Sequence, residues 1–270
     1  MAAIHTEALI LRSVDFGESD RIVHLLVPET GRLTAIAKGA RRSFKRFPGT
    51  LDLFNHLRVS VERRRAASMA RLEHAQLLRT FHHLRTDTTR FALGCYLLEL
   101  LDRLAPEGGA RADTKRMFGF ALAALAILDD ERPDLRLRTL LELRALDAVG
   151  LRPELRCCVR CGQRVGAGPR GSRVGFHIAE GGPVCEGCAE SGQDLLPIHL
   201  GTLRALERSL EFAPGRLARL ALGGVSLAEA RRLIARFLRF HVGIDLRSAR
   251  FLEEMLPGGP IEGRAEISTD

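Results

Sequence analysis

Arg21-Ile-Val-His-Leu-Leu-Val27, Pro28-Glu-Thr-Gly31 and Arg32-Leu-Thr-Ala-Ile-Ala-Lys38 follow one another without a break near the start of the chain. Two runs of β-formers flank a short connection in which Gly31 can take the left-handed conformation, so the segment reads as a tight β-hairpin. Upstream, Ile4–Arg12 is apolar and β-prone, and a loop containing Gly17 follows it. Downstream, Leu57, Val59 and Val61 alternate with Arg58, Ser60 and Glu62, the period of a half-buried strand. Met69–Leu78 supplies a fifth strand. Five short strands in about eighty residues fit a small barrel such as an OB-fold, which commonly holds single strands in a charged groove.

Helical texture takes over after Thr80. Thr86–Leu104 places Phe91, Cys95, Leu98 and Leu101 on one stripe, and Lys115–Leu128 is apolar nearly all round, as a central helix is. Asp134–Val149 has an N-cap in Asp134, a stop in Gly150 and Pro153 just beyond. Leu200–Glu211 reads as helix, and Ser226-Leu-Ala-Glu229 is a capping-box signature. The helix it opens puts Leu227, Ala230, Ile234, Phe237 and His241 on one side, with His241 at the core's edge and without a chemical role. The expected class is α+β. An OB-fold barrel spans 1–80, a helical domain 81–155 and 194–256, and an inserted four-cysteine zinc module 156–193. A polar, Gly/Pro-rich tail, 257–270, is expected to be disordered.

The module rests on Cys158-x-x-Cys161 and Cys185-x-x-Cys188, with 23 residues between the pairs. Each pair lets two thiolates converge on one ion, and two pairs complete a tetrahedral all-thiolate shell around one zinc. A full shell leaves no position for water or substrate, so the metal is structural. Cys157 is a neighbouring thiol that could ligate in place of Cys158; the spacing of the second pair favours Cys158. His177 could also substitute, although a lone His on a hairpin is more often a bystander. Gly162 and Gly187 stand where a chain wrapping a metal often needs positive φ. Arg173–Ala179 and the Glu-Gly-Gly turn at 180–182 suggest a short hairpin. A zinc deaminase combines H-x-E with P-C-x-x-C; here His177 and Glu180 are spaced H-x-x-E, and the two further cysteines fill the catalytic position.

The six cysteines look like metal ligands plus free thiols, not a secreted disulfide framework. The opening Met-Ala-Ala-Ile-His-Thr-Glu has no apolar signal region, and the longest apolar run, Met117 to Leu128, is too short for a bilayer. A cytoplasmic, nucleoid-associated protein without a membrane partner is expected. Charge is unevenly placed. Residues 31–65 hold ten basic groups (Arg32, Lys38, Arg41, Arg42, Lys45, Arg46, Arg58, Arg63, Arg64, Arg65) against Asp52 and Glu62, a surplus equal to the whole chain's +8. A one-sign cluster favours a polyanion, and nucleic acid is the commonest one in a cytoplasm.

Phe16-Gly-Glu-Ser-Asp-Arg21, Glu29-Thr-Gly-Arg32 and Ala37-Lys-Gly-Ala-Arg-Arg42 resemble the N-terminus of the bacterial recombination mediator family RecO. Pro153-Glu-Leu155 and Leu246-Arg-Ser-Ala-Arg-Phe-Leu252 resemble the same family farther along, so the likeness covers residues 1 to 255 in order. It implies an N-terminal OB-fold, a helical domain and an embedded zinc module. It also implies binding of single- and double-stranded DNA, annealing of complementary strands and, with RecR, help in loading RecA onto DNA coated by single-strand-binding protein. The family's basic loop falls on Lys38, Arg41, Arg42, Lys45 and Arg46. Its site for the acidic tail of single-strand-binding protein needs an apolar slot rimmed by cations, for which Lys115, Arg116, Arg136 and Arg138 are the candidates.

No Trp and one Tyr, Tyr96, occur, which leaves the barrel Phe16, Phe44, Phe47 and Phe54 for base stacking. Phosphate contacts should therefore dominate affinity. There is no G-x-x-x-x-G-K-[ST], no G-x-S-x-G elbow and no nucleophile–base pair, and Gly166–Gly171 reads as a loop. A non-enzymatic protein is expected. A zinc-ribbon, sequence-specific regulator is the alternative, marked by strong preference for some duplex.

Overall fold

The structure is a computed structural model that describes residues 3–43, 45–62, 69–166, 172–243 and 246–256. Phe44, Arg63, Arg64, Arg65, residues 167–171 and the 257–270 tail, all discussed above, lie outside the described residues.

β1 (Ile4–Phe16), β2 (Asp20–Val27), β3 (Gly31–Ala37), β4 (Asn55–Glu62) and β5 (Ala70–Thr80) form a closed barrel in the order β1-β2-β3-β5-β4. Every pairing is antiparallel except β3 with β5, which run parallel where Ala35 meets Ala70 and Ile36 meets Arg71. The hairpin forms as read, with register from Val27↔Gly31 to Arg21↔Ala37. Gly31 is required there twice over. Its φ is 82°, and a Cβ would stand 2.3 Å from the Pro106 carbonyl oxygen. β1 runs on past Arg12 to Phe16, because a bulge between Ile10 and Arg12 resets its alternation and keeps the strand on the barrel.

The alternation in β4 holds: Leu57, Val59 and Val61 are buried among Ile10, Val23, Leu25, Ala35 and Leu72. Each such side chain contributes roughly 1.5–3 kcal/mol by leaving water. Outward residues of β1 and β2 meet α2 (Thr88–Leu104) and α3 (Arg111–Asp130), which follow the short α1 (His83–Thr86). Asp87 caps α2 by accepting from the Arg90 N–H at 2.9 Å. The buried stripe of α2 includes Leu93, Leu97, Leu98 and Leu101, whereas Phe91 stays 37% exposed and Cys95 half-buried. The expected stripe is thus rotated. Phe54, fully buried, occupies the space over Gly94 and leaves Phe91 to meet it edge-on at 5.6 Å.

The chain separates into two compact units, Met1–Pro133 with Arg144–Arg152, and Asp134–Leu143 with Pro153–Asp270. α4 (Leu135–Ala148) is divided between them. Asp134 caps it through the Leu137 N–H at 2.6 Å, and Gly150, at φ 77°, ends the turn beyond it.

In the second unit, β6 (Arg173–His177) pairs antiparallel with β7 (Gly182–Val184), the expected hairpin, and also with β8 (Leu196–His199). β8 is a strand that the sequence did not announce: it is four residues long and holds Pro197, which only an edge strand tolerates. α5 (Leu200–Glu211), α6 (Gly224–Val242) and α7 (Ser248–Met255) follow. The capping box at Ser226 does not form. α6 begins at Gly224, so Ser226 lies inside the first turn, and Glu229 instead reaches the start of α5. Its carboxylate accepts from the His199 N–H at 3.1 Å and the Thr202 hydroxyl at 2.7 Å, and lies 2.6 Å from His199 Nδ1. Glu229 of α6 thus ties down the start of α5, where the Leu200 N–H donates to the Ser172 carbonyl at 3.0 Å. Among the described residues, no helix is long and apolar enough to cross a membrane.

Candidate nucleic-acid interface and metal centre

The two C-x-x-C knuckles come together. The Sγ atoms of Cys158, Cys161, Cys185 and Cys188 all lie within 4.8 Å of one another, and Cys161 and Cys185 approach to 3.6 Å. A tetrahedral shell with a Zn–S bond of about 2.3 Å has S···S edges of about 3.8 Å. The four residues thus fit one ion, and Cys157 is outside the group. His177 is outside too; its Nδ1 accepts the Glu180 N–H at 3.1 Å.

Local structure brings the knuckles into register. The Gly162 N–H closes the first turn on the Cys158 carbonyl at 2.9 Å, with Gly162 at φ 75° as expected. Gly187 differs: it sits in a 3-10 turn, Glu186–Cys188, without positive φ. Arg160, between the first two cysteines, donates to the Cys188 carbonyl at 2.7 Å and pairs with Glu180 at 2.7 Å, tying one knuckle to the other. Gly182 lets the turns close, since a Cβ there would meet Val159 at 2.3 Å and Glu154 at 2.9 Å.

Burial alone would raise the Cys158 thiol, but the backbone N–H groups of Cys185, Cys161 and Arg160 outweigh it and bring its pKa down to about 6. Cys188 goes the other way, pushed up to about 12 by hydrogen bonding with Cys185 and Cys161. Cysteine binds a metal as thiolate, so loading a cation into such a cluster releases protons. Cys95, apart from the cluster, is pushed up to about 11 by burial and then by Glu99, which leaves it a poor nucleophile.

The basic loop is built on the β1–β2 turn. The Gly39 N–H donates to Asp20 Oδ1 at 2.7 Å, Lys38 Nζ to Asp20 Oδ2 at 2.8 Å, and the Arg41 N–H to the Ser19 carbonyl at 3.0 Å. The Gly39 amide, and then the Lys38 ammonium, hold the Asp20 carboxyl below its usual range. Arg41 Nε lies 3.5 Å from Asp15. Arg46 donates to the Lys38 carbonyl at 2.6 Å and stands over the Phe47 ring at 5.3 Å. Lys38, Arg41 and Arg46 therefore hold the loop's shape. Arg42 and Lys45 are exposed and have no ion-pair partner among the described residues.

Of the phenylalanines open to stacking by sequence, Phe47 belongs to the barrel core and Phe54 is fully buried, whereas Phe16 is 51% exposed. The acids that shape the loop carried no signal in the sequence beyond their place: Asp20 lies in the Phe16–Arg21 segment and Asp15 just before it.

The four cations considered for an acidic tail do not all belong to one unit. Lys115 and Arg116 belong to the first unit, Arg136 and Arg138 to the second. Lys115 and Arg116 are exposed, and Arg116 donates to the Ala148 carbonyl at 3.1 Å. Arg138 is buried and bound to Glu142 at 2.9 Å, so it rims no open slot. Arg136 donates to the Leu220 carbonyl at 2.8 Å.

Two family models match the chain, Recombination protein O N terminal over residues 1–81 and Recombination protein O C terminal over residues 85–250. The chain belongs to the RecO family. Relatives bear this out along the whole length. A DNA repair protein RecO of Anaeromyxobacter dehalogenans (strain 2CP-C) is 38% identical over 97% of this chain and 100% of the relative. Those of Myxococcus xanthus (strain DK1622) and Symbiobacterium thermophilum are 34% and 32% identical, over 92% and 94% of this chain. In RecO family terms, the N-terminal match covers the barrel, and the C-terminal match covers α2 to α6 with the cysteine cluster.

Proposed function

We propose that this RecO-family chain is a non-enzymatic DNA-binding mediator of recombinational repair. It anneals complementary single strands and, with RecR, assists RecA loading on DNA coated by single-strand-binding protein. The observation that carries the reading is the cationic loop on an OB-type barrel, held in shape by its own ion pairs while Arg42 and Lys45 face solvent. Such a surface neutralises phosphates without reading bases, and annealing then needs no catalytic group. Bringing two flexible strands together raises their local concentration, and base pairing completes the step. Double-stranded DNA binds through the same phosphate contacts.

Cys158, Cys161, Cys185 and Cys188 would hold one Zn2+, which supplies cross-linking and no reaction, since four thiolates complete its shell. The acidic tail of single-strand-binding protein would dock at the exposed Lys115 and Arg116, of which Arg116 reaches the Ala148 carbonyl at the end of α4, three residues before Leu151, a 42% exposed apolar residue.

The deciding experiment is annealing of complementary oligonucleotides precoated with single-strand-binding protein. It compares the natural chain with a variant in which Arg41, Arg42, Lys45 and Arg46 are all alanine. Annealing should fall to the protein-free rate in the variant; equal rates would refute the reading.

A further inference from the structure

The outer wall of the barrel carries an apolar patch beside the basic loop. Register sets Val14 opposite Ile22 and Phe16 opposite Asp20 across β1 and β2, and Ile22 opposite Ile36 across β2 and β3. Directly opposed residues project to the same face. Val23, Ala35 and Ala37, the alternate positions, point into the core, so Val14, Phe16, Ile22 and Ile36 share the outer face. Farther down that face Leu9 and Leu26 are fully buried, and His24 is bonded to Asp102 of α2 at 2.9 Å. Toward the tip the cover ends: Phe16 is 51% and Val14 43% exposed.

Cations edge this patch. Asp20, the register partner of Phe16, holds Lys38, the first residue beyond β3, at 2.8 Å. Arg71 stands opposite Ile36 on β5. A lone exposed aromatic is ordinary. An exposed ring on the same face as Val14 and Ile22, paired in register with the carboxylate that holds Lys38 of the basic loop, is not.

We infer that Phe16 is a stacking platform for an unpaired nucleobase, and that it makes this surface prefer single strands. The inference rests on the DNA-binding reading above and adds to it the residue that senses bases. A ring face beside cations matches what a single strand offers, a free π-face joined to a phosphate. In a duplex the bases are stacked on one another and present no such face. The position fits the barrel type, in which the wall of the second and third strands and the adjoining loops take up oligonucleotides. Phosphate contacts at Arg42 and Lys45 supply affinity; Phe16 supplies the distinction between a base-bearing strand and a bare backbone.

The test compares an oligothymidylate with an abasic oligonucleotide of equal length, using the full chain. Phe16→Ala should lower the ratio of the two affinities by about 5- to 150-fold, the range of base–aromatic stacking. The slope of log K against log[salt] should stay the same, since no cation is removed. Phe16→Trp should keep the ratio. As the natural chain has no tryptophan, its emission reports this one site; oligothymidylate should quench it and the abasic strand should not. An unchanged ratio in Phe16→Ala, or emission that base-bearing DNA leaves alone, overturns the platform and turns the patch into a surface for a protein. Should the natural chain bind neither oligonucleotide, DNA binding itself fails and the platform with it.

Discussion

Replacing Arg42 and Lys45 together by alanine should flatten the salt dependence of single-strand binding without changing stability. Neither side chain has an ion-pair partner among the described residues, in contrast to Lys38 with Asp20 and Arg41 with Asp15. Each phosphate neutralised on a single strand contributes about −0.7 to the slope of log K against log[salt]. Two lost contacts therefore shift the slope by about 1.4. Between about 50 and 200 mM salt, the double variant should lose about 7-fold less affinity than the natural chain. Fluorescence anisotropy of a labelled oligothymidylate titrated at several salt concentrations measures this directly. Urea midpoints should coincide, because neither side chain has an ion-pair partner among the described residues. A slope unchanged to within about 0.3 would place the phosphate contacts elsewhere and sink the argument. Arg46→Ala makes the contrast: it removes the bond to the Lys38 carbonyl and the contact with Phe47, so it should lower stability as well as affinity.

Cys161→Ser should abolish stoichiometric metal retention and lower the melting temperature, whereas Cys157→Ser should leave both unchanged; elemental analysis and calorimetry distinguish them. Arg138→Ala should destabilise the protein in urea titrations by up to about 3–5 kcal/mol, because it removes the 2.9 Å partner of the buried Glu142 carboxylate and leaves Arg231 as a cation acting on it. A much smaller loss would show the pair to be solvated. Burial works to raise the Glu229 carboxyl, but hydrogen bonds from Thr202 and His199 outweigh it and leave its pKa below the usual 4.5. A depressed folded-state pKa adds stability that is complete above the unfolded value and disappears as pH falls through the folded one. The stability gap between the natural chain and Glu229→Gln should thus be open at pH 7 and shrink below pH 4.5. A gap that widens in acid would refute the assignment.

The hairpin, the β4 alternation, both C-x-x-C pairs and the α5 span were legible in the sequence, because each depends on spacing within one segment. Gly31 announced its turn, since only a glycine meets both its φ and its closeness to Pro106. Ser226 misled for the complementary reason. A local capping pattern competed with Glu229's bonds to His199 and Thr202, and the long-range partners won. β8 escaped notice because a four-residue segment with a proline has no periodicity to read.

Residue spacing and composition were enough to show which chemistry the chain carries: four thiols at metal spacing, a surplus of cations in one segment, and β-structure giving way to helix. Which of those groups are available came from packing between segments distant in sequence. It placed Phe47 in the core and Phe16 outside, paired Lys38 and Arg41 with acids while leaving Arg42 and Lys45 to solvent, and buried Arg138 against Glu142. The physical reason is that spacing along a chain fixes which way a side chain points from its own strand or helix. Exposure and charge pairing depend on what the rest of the fold sets against it.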